Sequence, residues 1–337
     1  MNIGEIARRA GVSRSTVSYV LSGKRPVSDE VRARVERVIE ESGYRPSATA
    51  RALAQGSTRT IGLVIPPMGS HLSIDQLQFV GSVAEAAADH DHDVLLSPSG
   101  RDEVFDRMLG ERRVEGVIVM ETLLHDARVS RLLQEPVPFV TIGRTGSETA
   151  HAWVDLDYAG LVTTAVRRLA ELGHRRIALV NRPQELLDQE YGPAFRAQDA
   201  FDKTVAELGL GGHLVCCADD TRAGEECVRR LLADTPELTA LVSINERSLS
   251  GVVHGLKATG RTLPRDFSVV AVTSQANAQG IAPAVAGADV PTAEMGRSAV
   301  EALLAAIDDP AKAPAQVLLR PELIERASLG AAPVSRA

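Results

Sequence analysis

The sequence predicts a small all-helical head joined to an α/β body with parallel sheets. Three observations carry that expectation. Apolar residues recur at helical spacing through the first forty-odd residues. From residue 60 onward, short apolar runs alternate with amphipathic stretches. The charge is also divided: residues 1–60 hold 11 Lys+Arg against 6 Asp+Glu, a net of +5, and the remainder holds 26 against 38, a net of −12. The overall −7 alone would speak against a nucleic-acid partner; a basic head on an acidic body does not. At 337 residues the chain has length for two or three domains, and 44% hydrophobic with 24% charged residues suffices for packed cores.

In the head, Ile3, Ile6 and Ala7 share one helical face, with Glu5, Arg8 and Arg9 opposite. Gly11 can take the left-handed conformation that ends a helix, and Ser13 is a good N-cap for the next. From Arg14 to Leu21, Val17, Val20 and Leu21 face inward while Arg14, Ser15, Ser18 and Tyr19 face out. Two short helices around so tight a turn make a helix-turn-helix. A third helix begins after Ser28 and carries Val31, Val35, Val38 and Ile39 at helical spacing through Ser42. Pro46 pre-sets a short following helix over 44–55, too weak to stand alone in water.

The phrases AGVS, TVS, VL, GYRP, AR, LA and TIG, at their spacings over the first sixty residues, resemble the head of the LacI/GalR family of lactose-repressor-like regulators. RRVEGVIV, ELGHRRIALV and LPRDFSVVAV extend the resemblance over nearly the whole chain. It implies a head at 1–45, a hinge helix and linker at 46–59, and a periplasmic-binding-protein-like body of two Rossmann-like lobes at 60–330. The chain would cross between lobes near Asp157, Asp289 and Pro314. Lobe one would then span about 60–157 and 289–314, and lobe two about 158–288 and 315–330.

The resemblance also assigns chemistry. Recognition helices enter the major groove by their first residues, which places Arg14 and Ser15 at base edges, Arg14 suited to guanine. Ser13, Thr16, Ser18 and Ser22 carry short hydroxyls suited to phosphate oxygens. Tyr19 stands where most members have Arg and cannot form the bidentate guanine contact. In the hinge, Ser47, Ala50, Arg51 and Leu53 would meet the minor groove, Leu53 as the wedge that kinks the central step. Ser47 replaces the usual Asn.

Strand-like runs in the body are 60–66, 93–98, 114–120, 138–144, 175–181, 214–219, 240–245 and 267–274, with helices over Leu161–Leu172 and Arg222–Leu232 among those between. Ligands in such folds sit between lobes at strand carboxyl ends. Strand-end polar candidates there are His71, Arg144, Asp155, Asp157, Asn245, Glu246, Thr273, Ser274 and Gln275. The Asp positions that sugar-binding relatives carry are lost, one to Glu246 and the other at Thr273-Ser274. The usual arginine is Ala197, and Arg196 is turned roughly 100° aside on a helix. Asp220 occupies a position that several relatives give to a stacking aromatic. With aromatics at 3% of the chain, simple hexoses and pentoses are expected to fit poorly.

His90-Asp91-His92-Asp93 lies in a loop without helical ligand spacing, so no metal is expected. Cys216 and Cys217 are not a CxxC pair and are expected in the core, and three cysteines suit a reducing cytoplasm. The N-terminus lacks a signal-peptide layout, and no apolar run nears the roughly 18 residues of a membrane span. No hydrolase or nucleotide motif occurs, so neither enzyme activity nor cofactor is expected. The expected protein is a cytoplasmic homodimeric repressor, with operator DNA and a small-molecule effector as partners. A solute-binding protein and a Rossmann-like enzyme are the rivals.

Overall fold

The computed structural model describes residues 2–22, 25–43, 57–65, 72–98, 102–146 and 151–334. The head is α1 (Ile3–Ala10), α2 (Arg14–Ser22) and α3 (Asp29–Ser42). Asn2 caps α1 through its side-chain oxygen, which accepts from the Glu5 amide at 3.1 Å. Gly11 at φ +65° ends it in the left-handed conformation that the tight turn requires. Ser13 Oγ accepts from the Thr16 amide at 3.0 Å and starts α2. Ser28 sits at the N-cap of α3, but its hydroxyl makes no capping bond. Ile6, Ala7, Val17, Val20 and Val35, which the helical spacing selects, form the buried centre together with Ala10, while Ile3, Leu21, Val31, Val38 and Ile39 pack against it partly buried.

The body has β1 (Thr60–Ile65), β2 (Asp93–Pro98), β3 (Gly116–Val119), β4 (Phe139–Ile142), β5 (Ala152–Leu156), β6 (Arg176–Asn181), β7 (Gly211–Cys216), β8 (Ala240–Ser243), β9 (Ser268–Thr273), β10 (Ala286–Asp289), β11 (Gln316–Leu319) and β12 (Leu323–Ile324). Its helices are α4 (Ile74–Asp89), α5 (Asp102–Gly110), α6 (Ala127–Leu132), α7 (Tyr158–Glu171), α8 (Gln184–Asp188), α9 (Gly192–Glu207), α10 (Thr221–Asp234), α11 (Leu249–Ala258), α12 (Gln275–Gly280) and α13 (Thr292–Asp308).

Two six-stranded sheets result, ordered β2-β1-β3-β4-β5-β11 and β7-β6-β8-β9-β10-β12. The first five strands of each run parallel in one shared order, the doubly wound arrangement that puts helices on both faces. β11 continues its sheet in parallel and β12 closes the other antiparallel. Apolar clusters lie on both faces of each sheet, so the central strands read as continuous apolar runs.

The chain leaves the first sheet after β5, and α13 returns to the first lobe against α4, where Ser82 Oγ donates to the Thr292 carbonyl at 2.9 Å. The third crossing departs from expectation. β11 pairs with β5 through Gln316–Trp153 to Leu319–Leu156, so residues 316–319 belong to the first lobe and the chain crosses after Leu319, not near Pro314.

Four strands escaped the sequence pattern: β5, β10, β11 and β12. β10 is AGAD, without a branched residue. Its Gly287 is demanded by packing, since a Cβ there would stand 1.8 Å from the Ala271 carbonyl oxygen. The cysteines are also corrected. Cys217 is buried beside Cys227, but Cys216 is half-buried, because β7 is an edge strand.

Candidate functional site in the head and the inter-lobe cleft

At the start of α2, Ser13, Arg14 and Ser15 are exposed, while Thr16, Ser18 and Tyr19 are half-buried. The Ser13 and Thr16 hydroxyls bond each other at 2.8 Å. The Arg14 guanidinium lies against Gly4 of α1, where a Cβ would meet its Nε at 2.7 Å. The Arg25 guanidinium stands 5.2 Å above the Tyr19 ring, a cation–π contact that fixes the tyrosine on the helix face. Ser22 ends α2, and its side chain lies outside the described residues, as do Ser47, Ala50, Arg51 and Leu53.

Between the lobes, at strand carboxyl ends, lies a cavity of about 100 Å³. Asp75, Gln76 and Phe79 of α4, Glu121 after β3 and Asp155 of β5 form one wall. Arg182 after β6, Tyr191 before α9 and Glu246 after β8 form the other, with Tyr158 at the start of α7 between them. Arg182 organises the second wall. Its side chain is only 7% exposed and reaches Asp219 at 2.8 Å and Glu246 at 3.2 Å. It also lies 5.7 Å above the Tyr191 ring. Burial works against its charge, but Glu246 and the neighbouring acids hold it well above the ordinary arginine range.

The first wall is settled differently. Asp155 is met by Arg144 Nε at 2.8 Å and Arg196 Nη1 at 3.8 Å. Glu121 has a left-handed backbone at φ +52°, unusual for a residue with a side chain, and Gln76 Nε2 donates to its carboxylate. Burial raises the Glu121 pKa, and repulsion from Glu246 adds to it. Burial raises Asp75 likewise, against hydrogen bonds from Ser274. Asp75 also ties the lobes together: its Oδ2 accepts from the Ser274 amide at 3.0 Å and the Thr273 hydroxyl at 3.4 Å.

Residues 2–47 match the bacterial regulatory proteins of the lacI family, and residues 166–329 match the periplasmic binding protein-like domain. The chain is 30% identical to the HTH-type transcriptional regulator AglR of Rhizobium meliloti (strain 1021), over 99% of this chain and 95% of that one. The chain belongs to the lacI family of bacterial regulatory proteins. It is 30% identical to the transcriptional regulator CelR of Thermobifida fusca over 96% of each chain. A solved CelR–cellobiose complex superposes with a TM-score of 0.71 at 26% identity, covering 97% of this chain and 99% of that one. The lac repressor dimer bound to operator and the anti-inducer ONPF superposes at 0.86 with 22% identity, covering 98% and 99%, a likeness of fold. This lacI-family protein is thus a transcriptional regulator with a DNA-binding head and an effector-binding body.

Within that body, the strand-end candidates of the sequence scatter. Asp155 and Glu246 line the cavity. Thr273 and Ser274 serve the inter-lobe tie to Asp75. Arg144 and Arg196 stand behind Asp155, Arg196 also donating to the Arg144 carbonyl at 2.7 Å; burial lowers the Arg196 pKa. Three others are not brought to the cavity. Asp157 caps α7 through the Gly160 amide at 3.0 Å and pairs with Arg320. Asn245 is fully buried and donates to the Cys217 carbonyl at 2.8 Å while accepting from the Ser248 amide. Gln275 is exposed and engages Asp289 through its amide. His71 lies outside the described residues. Asp220, the site of a relative's aromatic, caps α10 through the Ala223 amide.

Sequence reasoning missed Asp75, Gln76, Glu121, Tyr158, Arg182 and Tyr191. Glu121 and Arg182 were reachable, since each directly follows a strand that the sequence marks. Tyr158 follows a strand that it does not mark, and Asp75 opens a helix, outside any strand-end rule.

Proposed function

We propose that this regulator is a cytoplasmic repressor that binds a pseudo-palindromic operator as a homodimer. The head at 1–45 reads the major groove, the hinge at 46–59 orders on DNA, and the body at 60–330 senses an effector. The exposed start of α2 over a buried Val17 and Val20 supports this reading most directly. Arg14 and Ser15 meet base edges, and Ser13, Thr16, Ser18 and Ser22 meet phosphates. Tyr19 meets a thymine methyl through its ring or a phosphate through its hydroxyl. Ser47, Ala50, Arg51 and Leu53 face the minor groove, Leu53 wedging the central step. The operator-bound lac repressor dimer supports the dimeric, DNA-bound form.

The effector enters the cleft between the lobes, and the solved complex of CelR with cellobiose supports a small-molecule effector. A cavity of about 100 Å³ is well below the roughly 300 Å³ at which ligand pockets begin, which supports a cleft that widens to admit a ligand. A ligand that prefers one closure state shifts the hinge through the lobe interface. A mobility-shift assay on duplex fragments from upstream of the protein's own gene tests the reading. Wild type gives a discrete band resisting non-specific competitor, and Leu53→Ala weakens it at least tenfold. Equal affinity of the variant, within threefold, removes the wedge from the mechanism; no discrete band removes the operator reading.

A further inference from the structure

We propose that the cleft selects a hydroxylated cationic amine, an amino sugar or amino alcohol, over its neutral and phosphorylated counterparts. The proposal rests on the reading of the cleft as the effector site and names the chemistry of its ligand.

The charges around the cavity are unevenly settled. Asp155 has two arginines, Arg144 and Arg196. Glu246 and Asp219 share Arg182, and Arg247 lies 4.0 Å from Asp219. Asp75 and Glu121, on the first-lobe wall, have no cation within ion-pair distance among the described residues, although the field of Arg182 reaches Glu121. Both carboxyls hold their protons above the usual range, through burial first and with Glu246 adding like-charge repulsion. One Asp75 oxygen, Oδ1, is buried without a hydrogen-bond partner. Asp75 Oδ1 is an acceptor short of a donor, and both carboxyls lack the cation that would hold them ionised.

The opposite wall asks for something else. Arg182 is more than nine-tenths buried, and its Nε–H has no acceptor. An ammonium group alone would leave that donor empty; a hydroxyl oxygen on the same ligand fills it. A ligand carrying both groups satisfies the two walls at once. The rings of Phe79, Tyr158 and Tyr191 line the space between, and neither phenol hydroxyl bonds a described residue. Aromatic faces carry negative potential and favour a desolvated cation. A phosphate or carboxylate would enter against Asp75, Glu121 and Glu246 in a low-dielectric site, where like-charge repulsion is strong. A neutral polyol could make the hydrogen bonds but leaves the carboxylate crowding unrelieved.

Calorimetry on the full chain tests this with two matched trios. The first is serinol, glycerol and glycerol 3-phosphate; the second is glucosamine, glucose and glucose 6-phosphate. In at least one frame the amine binds at least tenfold more tightly than its neutral member, and the phosphate shows no binding. Asp75→Asn with Glu121→Gln removes that preference while the melting transition remains cooperative. If the double variant does not fold, Glu121→Gln alone must reduce the preference. A neutral or phosphorylated member binding as well as the amine overturns the proposal, as does a preference that survives the substitutions. Absence of amine binding in both frames also overturns it; if the protein still retards its DNA fragment, the regulator reading stands. Loss of DNA binding by wild type would instead remove that reading.

Discussion

The head and the cleft hold their polar side chains in opposite ways. In the head, the groups that matter are exposed over a small apolar centre: Arg14 and Ser15 project from α2 above Val17 and Val20. In the cleft, Arg182, Asp219 and Glu246 are turned inward and occupied with one another. An exposed side chain can exchange water for a new partner at little cost. A buried one must first lose a partner it already has, which costs several kcal/mol when a charge is left alone (roughly 3–5). The head therefore presents its side chains to an external surface, whereas the charges of the cleft are already engaged with one another.

The largest break in that contrast comes from Arg182→Ala. Removing the guanidinium leaves half-buried Glu246 without its cation and Asp219 with Arg247 alone at 4.0 Å, and the body is expected to lose at most roughly 3–5 kcal/mol in urea unfolding. Next is Asn245→Ala, which leaves the Cys217 carbonyl and Ser248 amide without their buried partner. That loss is expected at about 1–3 kcal/mol, and an unfolding midpoint equal to wild type would count against a bracing role. Arg14→Ala should do the reverse. It should leave the melting temperature unchanged while relaxing base preference at one half-site position by roughly 1–3 kcal/mol. A selected motif identical to that of wild type would remove Arg14 from base reading.

The smallest effect is a pH slope. His174 is buried between Thr239, Ser268 and the Gly330 carbonyl, and burial lowers its pKa. The folded state thus binds its proton less readily than the unfolded chain. Its contribution is complete above the ordinary histidine range and is lost as pH falls through that range toward the folded value. The slope is at most about 1.4 kcal/mol per pH unit. His174→Gln should flatten that part of the stability curve; an unchanged slope would assign it to other groups.

The head was almost fully legible in the sequence because each of its rules is local. Gly11, Ser13 and the spacing of Val17 and Val20 act within a few residues of one another, and the structure places them as the spacing requires. The parallel sheets were legible for the same reason wherever strands were rich in branched residues. β10 was not, because Gly287 is selected by contact with β9 rather than by strand propensity. The cleft was the least legible region. Its wall is assembled from α4, β3, β5, β6 and β8, far apart in the chain, and a strand-end rule finds Asp155 and Glu246 but also Asn245, whose side chain is spent on bracing a loop. Low aromatic content suggested that ring platforms were missing, yet Tyr158, Tyr191 and Phe79 gather at this one cavity. Composition counts side chains and does not place them.

The most direct measurement is in-vitro selection of duplex DNA by the full-length protein from a random library. The proposed homodimer, with one head on each subunit, predicts an enriched inverted repeat, with a guanine-containing step in each half that Arg14 can read. No enriched sequence, or a single unrepeated half-site, would contradict it.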